Sequence, residues 1–285
     1  MVSEEKMAEE QADQVKRFTQ ELVIAGYSPR TVEMYVLYVR AFLKFLKKDA
    51  DKAERSDVVS FLAEMKEEKH SSNATLALVH ASLKFFFHNF LRKKIIEEIR
   101  VPKRAKKLPT VLTKYEIKDL FKAAGAGRNR LVLEFLYSSG VRVSEAVKIS
   151  VDDLDLREHI ARVRGGKGNK DRVIILSTQW VKDLKKYLKH KKIKSEYVFS
   201  KKNGKPISVD TIQRIIREAA KKSDIRKHVT PHSMRHSFAT HLLESGENIR
   251  KIQELLGHSN LSTTQIYTQV STEELKKVKS PFDSM

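Results

Sequence analysis

The stretch from Thr230 to His236 contains residue types that can hold a phosphate and move a proton. Thr230 followed by Pro231 predicts the N-cap and first position of a helix. On that helix His232 and Arg235 are three positions apart and share a face. The unpaired N–H groups of a helix N-terminus attract anions, and the two side chains add a charge clamp and an acid/base group. Taken alone, the pair is a weak signal and is more typical of a buried structural arginine beside a hydrogen-bonded histidine.

Three further residues can take part in phosphate chemistry. Gly257 predicts the C-terminal end of a helix and places His258 just beyond it. Tyr267 follows nine residues later, although nothing local distinguishes it from the other tyrosines. Lys167 lies in the glycine-rich stretch 165–170 between two predicted strands, where a lysine at a hairpin tip can reach into a groove and donate a proton. The stretch lacks the glycine spacing and the Ser or Thr of a nucleotide-binding P-loop, so no ATP site is expected.

Metal chemistry is not supported by the spacing of the possible ligands. His232 and His236 are four apart, but the glutamate of an H-E-x-x-H zinc motif is missing, and His241 lies on a different helical face. Three carboxylates that alternate along a predicted strand do not converge on one ion: Asp152, Asp153 and Asp155. We therefore expect no metal and no cofactor.

The charge is concentrated in one part of the chain. Residues 1–100 hold 17 Lys and Arg against 16 Asp and Glu, whereas residues 101–285 hold 39 against 20, within a formal net charge of +20. Such a positive segment suits a polyanion, most commonly nucleic acid; general solubility or acidic protein partners remain open. The chain has no Cys, which excludes disulfides and thiolate metal sites.

No apolar run approaches the ~18 residues of a membrane span, and the acidic first residues do not have the pattern of a signal peptide. We therefore expect neither membrane insertion nor secretion.

Residues 1–100 are predicted to form a four-helix domain. Ser28 and Pro29 begin a helix whose apolar residues recur every three or four positions up to Leu46. A second helix is predicted over Asp57–Lys69. A third is capped by Ser71 or Ser72 and continues through a phenylalanine cluster to residue 90; those rings are more typical of a core than of a surface on which bases stack.

Residues 101–110 are predicted to be an extended basic linker. Two prolines bracket four positive charges that repel one another: Lys103, Arg104, Lys106 and Lys107. Such a strap can follow a DNA backbone, although a plain linker fits as well.

Residues 111–285 are predicted to form a mostly helical domain with a small antiparallel sheet. Thr113 and Glu116 form a capping box, a helix follows over 128–138, and Gly140 ends it just before Arg142. Strands are predicted over 152–155, 160–164 and 171–176, the last two joined as a hairpin. Helices resume at Thr178 and are expected to continue to the end of the chain.

In their order along the chain, these elements resemble the tyrosine recombinase family of the phage-integrase type. The resemblance rests on Gly140-Val141-Arg142-Val143-Ser144-Glu145, Lys167, His232, Arg235, Leu256-Gly257-His258 and Tyr267. It extends from about residue 12 to 275, and residues 1–100 resemble the family's SAM-like core-binding domain. Within the family, this sequence is most similar to the Xer recombinases, a compact form without an additional arm-binding domain. Met234 replaces the leucine usual before the second arginine.

The resemblance implies a role for each of these residues at a scissile DNA phosphate. Arg142 and Arg235 would hold the two non-bridging oxygens, and His258 would add a hydrogen bond. Glu145, one turn after Arg142, is expected to orient it, although an ordinary surface pair has the same spacing.

The same resemblance identifies Tyr267 as the nucleophile. Its phenol ionises at a pKa far below that of an aliphatic alcohol. His232 would help to accept its proton, and Lys167 would protonate the departing 5′ oxygen. Lys170, together with the basic residues of the linker, is expected to bind DNA.

The function implied is site-specific recombination of duplex DNA through a 3′-phosphotyrosyl intermediate, resolving chromosome or plasmid dimers. Four subunits would assemble on two DNA sites at the nucleoid, in the cytoplasm, coupled by the segment after Tyr267. A viral or mobile-element integrase, or a non-catalytic architectural DNA-binding protein, are the alternatives that remain open.

Overall fold

The computed structural model describes residues 2–102, 108–165, 171–191, 193–258, 260 and 262–268, without the side chains of 2–8 and 262. The chain divides into two compact units, residues 1–106 and 107–285. Each unit has its own hydrophobic core and is described by itself.

The first unit contains the four predicted helices: α1 (Val2–Ile24), α2 (Pro29–Leu46), α3 (Arg55–Glu67) and α4 (Asn73–Lys84). A π-helical turn, Phe85–Phe90, continues α4. Ser28 caps α2 by accepting the Thr31 N–H at 3.2 Å, and Ser72 rather than Ser71 caps α4. The predicted starts of α2 and α4 are therefore confirmed, whereas α3 begins two residues before the predicted Asp57 because Glu54 and Asp57 form a capping box.

The phenylalanines of the first unit form its core. Phe18, Phe42 and Phe61 are fully buried, as are Phe86 and Phe87. Phe42 meets the rings of Phe61 and Phe87 edge-on, with centroids 5.3 and 5.5 Å apart, a favourable geometry for aromatic pairs. The prediction that this cluster is core, and not a surface for bases, is confirmed.

The second unit surrounds a small sheet with helices. Its elements are α5 (Lys114–Ala123), α6 (Arg128–Ser139), α7 (Val143–Ala146), β1 (Leu154–Asp155), β2 (Ile160–Val163), β3 (Arg172–Ile175), α8 (Thr178–His190), α9 (Val209–Lys222), α10 (Pro231–Glu244), α11 (Ile249–Leu256) and α12 (Ser262–Gln265). The strands are antiparallel in the order β1-β2-β3. The expected fold class is confirmed.

Two predicted boundaries are wrong. The first strand begins at Leu154 because Val151–Asp153 form a 3-10 turn, in which the Ser150 hydroxyl accepts the Asp152 N–H at 3.3 Å. Helical structure is also not continuous after Thr178. Between α8 and α9 the chain makes bridge pairings instead, one of them between Ser150 and Tyr197.

Helix α6 is the centre of the second unit. It is buried on several faces, and Leu131 accepts a hydrogen bond at 3.0 Å from the indole N–H of Trp180, which is 1 % exposed. Gly140 ends α6 with φ 61°, and a Cβ there would lie 2.3 Å from Cδ1 of Phe238 on α10. Only glycine satisfies both the left-handed backbone and this close approach. The end of α6 is thereby held against α10. None of the described helices is long and apolar enough to cross a membrane.

Candidate active site

Arg235 is the most deeply buried charge among the described candidate residues. It lies in the first turn of α10, where Thr230 accepts the Ser233 N–H as the predicted cap, and it is 4 % exposed. Its Nη1 donates to the Gly140 carbonyl at 2.6 Å and its Nη2 to the Leu256 carbonyl at 2.7 Å. These carbonyls lie at the C-terminal ends of α6 and α11, where the helix dipole favours a cation.

The charge of Arg235 persists despite its burial. Burial and then neighbouring Arg142 lower the pKa of Arg235 to about 10, so the guanidinium remains protonated near neutral pH. A cation that is kept dry and fixed in this way interacts strongly with an anion that reaches it.

Arg142 is hydrogen-bonded to Glu145. Glu145 accepts the Arg142 backbone N–H at 2.7 Å and its Nη1 at 3.0 Å, closing a capping box on α7. Arg142 Nη2 donates to the Gly257 carbonyl at 3.2 Å, next to His258. The turn between α6 and α7 therefore lies against the end of α11, and Arg142 shares a pocket with Arg235.

Glu145 is also held from the other side by Arg172 of β3. Arg172 Nη1 and Nη2 donate to its two carboxylate oxygens at 2.8 and 2.7 Å. Burial opposes the ionisation of Glu145, but the hydrogen bonds from Arg172 and Arg142 outweigh it and lower the pKa to about 2. Glu145 is therefore ionised near neutral pH and lies between two guanidinium groups.

His258 follows Gly257, whose left-handed backbone (φ 64°) ends α11. Its Nε2 is 2.9 Å from Arg235 Nη2, and its Nδ1 is 3.0 Å from the Thr264 hydroxyl. Because a guanidinium can only donate, Nε2 accepts and Nδ1 carries the proton. Burial, then Arg235 and Arg142, lower the pKa of His258 to about 4, which leaves the ring neutral near pH 7.

Tyr267 is enclosed in the same pocket and is only 1 % exposed. Its hydroxyl lies 3.2 Å from His236 Nδ1, and its ring stacks on that of His258 with centroids 6.4 Å apart. Burial raises the pKa of the phenol, while Arg235 and Arg142 act to lower it. Burial, then His232, lower the pKa of His236 to about 4. A neutral imidazole therefore lies within hydrogen-bonding distance of the phenol.

The structure brings together six of the residues singled out from sequence: Arg142, Glu145, His232, Arg235, His258 and Tyr267. His232 is the outermost, with its ring centroid 6.4 Å from that of His236. The remaining candidates lie outside the described residues: Lys103, Arg104, Lys106, Lys107, Lys167 and Lys170.

Sequence reasoning missed two members of the pocket. His236 was considered only as a metal ligand, although its place one turn after His232 already put it on the same face of α10. Arg172 was not singled out, and nothing local distinguishes it from its many basic neighbours. Among the described residues, no group of three or more His, Asp or Glu is arranged to hold a metal ion.

The pocket is arranged to receive a phosphodiester. Three guanidinium groups and one carboxylate leave a net positive charge around a neutral phenol and neutral imidazoles. A monoanionic diester matches that charge, and fixed N–H donors favour the transition state, in which charge grows on the non-bridging oxygens. A phenol beside fixed cationic donors and a neutral imidazole can act as a nucleophile toward phosphorus.

Family models match both units of the chain. The model of the phage integrase family matches residues 110–274, and that of the phage integrase N-terminal SAM-like domain matches residues 15–97.

Relatives match over nearly the full length. A tyrosine recombinase XerA from Pyrococcus horikoshii is 39 % identical over 269 residues, covering 93 % of this chain and 92 % of its own. A tyrosine recombinase XerD from Listeria innocua is 35 % identical, covering 92 % of this chain and 95 % of its own.

The fold is similar to that of a lambda integrase tetramer bound to a Holliday junction, with a TM-score of 0.76 at 19 % identity, covering 94 % of this chain and 80 % of that one. With family models over both units and Xer relatives over nine-tenths of the chain, this protein belongs to the phage integrase family of tyrosine recombinases.

Proposed function

We propose that this chain recombines duplex DNA at specific sites, cutting and rejoining one strand at a time through a 3′-phosphotyrosyl link to Tyr267. The supporting observation is the position of the Tyr267 hydroxyl, 3.2 Å from the neutral imidazole of His236 and in the same pocket as two guanidinium groups. A solely architectural DNA-binding protein has no need for this arrangement.

In the proposed cleavage step, Arg142 and Arg235 bind the non-bridging oxygens of the scissile phosphate. Both guanidinium groups are held by backbone carbonyls before substrate arrives, so little reorganisation accompanies the growth of negative charge. His258 is held between Arg235 and Thr264. A hydrogen bond from His258 to the phosphate requires the other tautomer, in which Nε2 carries the proton and Nδ1 accepts from the Thr264 hydroxyl.

The proton of Tyr267 must leave as the phenolic oxygen attacks phosphorus, because burial raises the pKa of the phenol. His236 is the group within hydrogen-bonding distance and is neutral, so it accepts this proton. His232, next to His236, is the second candidate acceptor, and Lys167 supplies the proton for the departing 5′ oxygen.

The link to tyrosine keeps the reaction reversible. Attack by the phenol forms the P–O bond to Tyr267 while the bond to the 5′ oxygen breaks, so one phosphodiester replaces another. The aryl oxygen remains a good leaving group, and the 5′ hydroxyl of a second strand reverses the step. No nucleotide triphosphate is consumed in this scheme.

The cellular role we propose is the resolution of chromosome or plasmid dimers by a tetramer on two DNA sites at the nucleoid. Support comes from the Xer relatives, at 39 % and 35 % identity over more than nine-tenths of the chain. The basic charge of residues 101–285 suits binding to DNA.

The proposed chemistry is tested by incubating the protein with a nicked duplex that traps the covalent intermediate, followed by a denaturing gel. The wild-type chain should form a protein–DNA adduct. Tyr267→Phe should abolish the adduct while DNA binding is retained, and Arg142→Ala should reduce its rate at least ~100-fold. Tyr137→Phe is the matched control, because that hydroxyl contacts His241 and not Tyr267. An adduct that survives Tyr267→Phe would refute the assignment.

A further inference from the structure

We propose that Arg172 is a positioning residue for strand cleavage: it fixes the Glu145 carboxylate from behind and thereby aims Arg142 at the scissile phosphate. The inference rests on the proposed function, since it assigns a task within the same reaction. The first observation is geometric. Arg172 and Glu145 form a two-pronged pair with N–O distances of 2.8 and 2.7 Å, and both carboxylate oxygens also accept from Arg142.

Burial makes this pairing rigid. The side chains of Glu145 and Arg172 are 8 % and 10 % exposed, whereas that of Arg142 is 22 % exposed. Two buried groups joined by parallel charge-assisted hydrogen bonds have a defined orientation. Of the three connected residues, the more exposed Arg142 is therefore the one that can contact substrate. Arg172 holds Glu145 in place.

The charges of Arg142, Glu145 and Arg172 also support this role. Without Arg172, the Glu145 carboxylate would neutralise Arg142 and weaken its attraction to a phosphate. With Arg172 present, the three groups carry one net positive charge, and Glu145 can orient Arg142 without cancelling it. An arginine is required here, because only a planar guanidinium matches both carboxylate oxygens at once.

Arg172 also connects the other parts of the pocket. Its Nε donates to the Leu255 carbonyl at 2.9 Å, and its Cδ lies 2.8 Å from the position that a Cβ on Gly257 would occupy. The end of α11, which holds His258, therefore rests on the Arg172 side chain. Because Arg172 begins β3, the same side chain also connects the start of β3 to Glu145 and so to the Arg142 segment.

The test is a double-mutant cycle on single-turnover adduct formation at saturating protein, with the full chain and the nicked duplex. Arg172→Gln and Glu145→Gln should each slow adduct formation about 10- to 100-fold, the range for outer partners of a functional group. The double variant should be no slower than the slower single variant, since both changes break one chain of contacts. DNA affinity should change less than about threefold.

A second measurement varies the charge of the scissile phosphate. It separates loss of positioning from general loss of structure, because a misfolded variant would be slowed equally on charged and uncharged substrates. On a duplex whose scissile linkage is a methylphosphonate, one non-bridging oxygen and its charge are absent, so the penalty of Arg172→Gln should shrink at least fivefold. Arg172→Lys should restore the rate only in part. Arg164→Gln is the matched control, because the Arg164 side chain pairs with Asp153 rather than with Glu145 and is 65 % exposed. This variant should cleave like the wild type.

Three outcomes would overturn the inference: normal cleavage by Arg172→Gln, penalties that multiply in the double variant, or an equal penalty on the two substrates. Failure of the wild-type chain to form any adduct would instead reject the proposed function. The two failures are therefore distinguishable.

Discussion

Replacing Glu145 with glutamine keeps the shape of the side chain but removes the charge that Arg142 and Arg172 share. The pKa of Glu145 is lowered from 4.5 to about 2 in the folded chain. A change of one in pKa corresponds to about 1.4 kcal/mol. Ionised Glu145 therefore contributes about 3 kcal/mol to the free energy of unfolding near pH 7. Its side chain is 8 % exposed, so solvent screening reduces this figure little.

The pH dependence has a defined sign. A carboxyl group whose pKa is lowered by folding stabilises the folded state above its unfolded pKa, and this stabilisation is lost as the pH falls toward the folded value. For Glu145 that window runs from about pH 4.5 down to about pH 2. Roughly 2 kcal/mol of the contribution should disappear between pH 5 and pH 3.

Urea unfolding followed by tryptophan fluorescence measures this effect. Trp180 is the one tryptophan of the chain and is buried in the core of the second unit, so its fluorescence reports the unit that contains Glu145. Near pH 7, Glu145→Gln should unfold with a free energy lower by about 3 kcal/mol. The difference between wild type and variant should shrink toward acid pH. Parallel curves across pH 5 to 3 would refute the reasoning.

The remaining predictions concern the pocket and the end of the chain. Gly140→Ala should lower the free energy of unfolding by at least ~2 kcal/mol, through backbone strain and collision with Phe238; Gly246→Ala, which adds strain without a collision, should cost less in the same urea assay. His236→Gln should slow adduct formation about 100-fold without weakening DNA binding, and the acid limb of the wild-type rate should lie near pH 4 rather than 6.5; an unchanged rate would exclude His236 as acceptor. Deleting residues 272–285 should weaken cooperative assembly on DNA more than binding of a single subunit, as gel shifts would show; equal losses would contradict a coupling role.

Local signals in the sequence determined most helix starts and turns. Ser28, Thr113 and Thr230 each accept a hydrogen bond from the backbone N–H three residues later, as their types and the residues after them predicted. Gly140 and Gly257 adopt the left-handed backbone at the ends of α6 and α11. These features depend on a few neighbouring residues, so a sequence pattern is enough to find them.

Boundaries set by competing interactions were not predictable in this way. The 3-10 turn before β1 arises because the Ser150 side chain satisfies the backbone that a longer strand would have used. The bridge between Ser150 and Tyr197 joins segments far apart in sequence. Tertiary pairing of this kind overrides local preference.

The order of the elements along the sequence was sufficient to identify the family and most of the pocket, because each candidate residue of the pocket lies beside a turn or a helix end that has its own signature. The tertiary structure alone decided which groups touch. It placed His236 beside Tyr267 and set Arg172 behind Glu145. The physical reason is that a hydrogen bond or an ion pair is defined within a few ångströms, and only the packing of α6, α10, α11 and β3 brings residues separated by tens of positions to that distance.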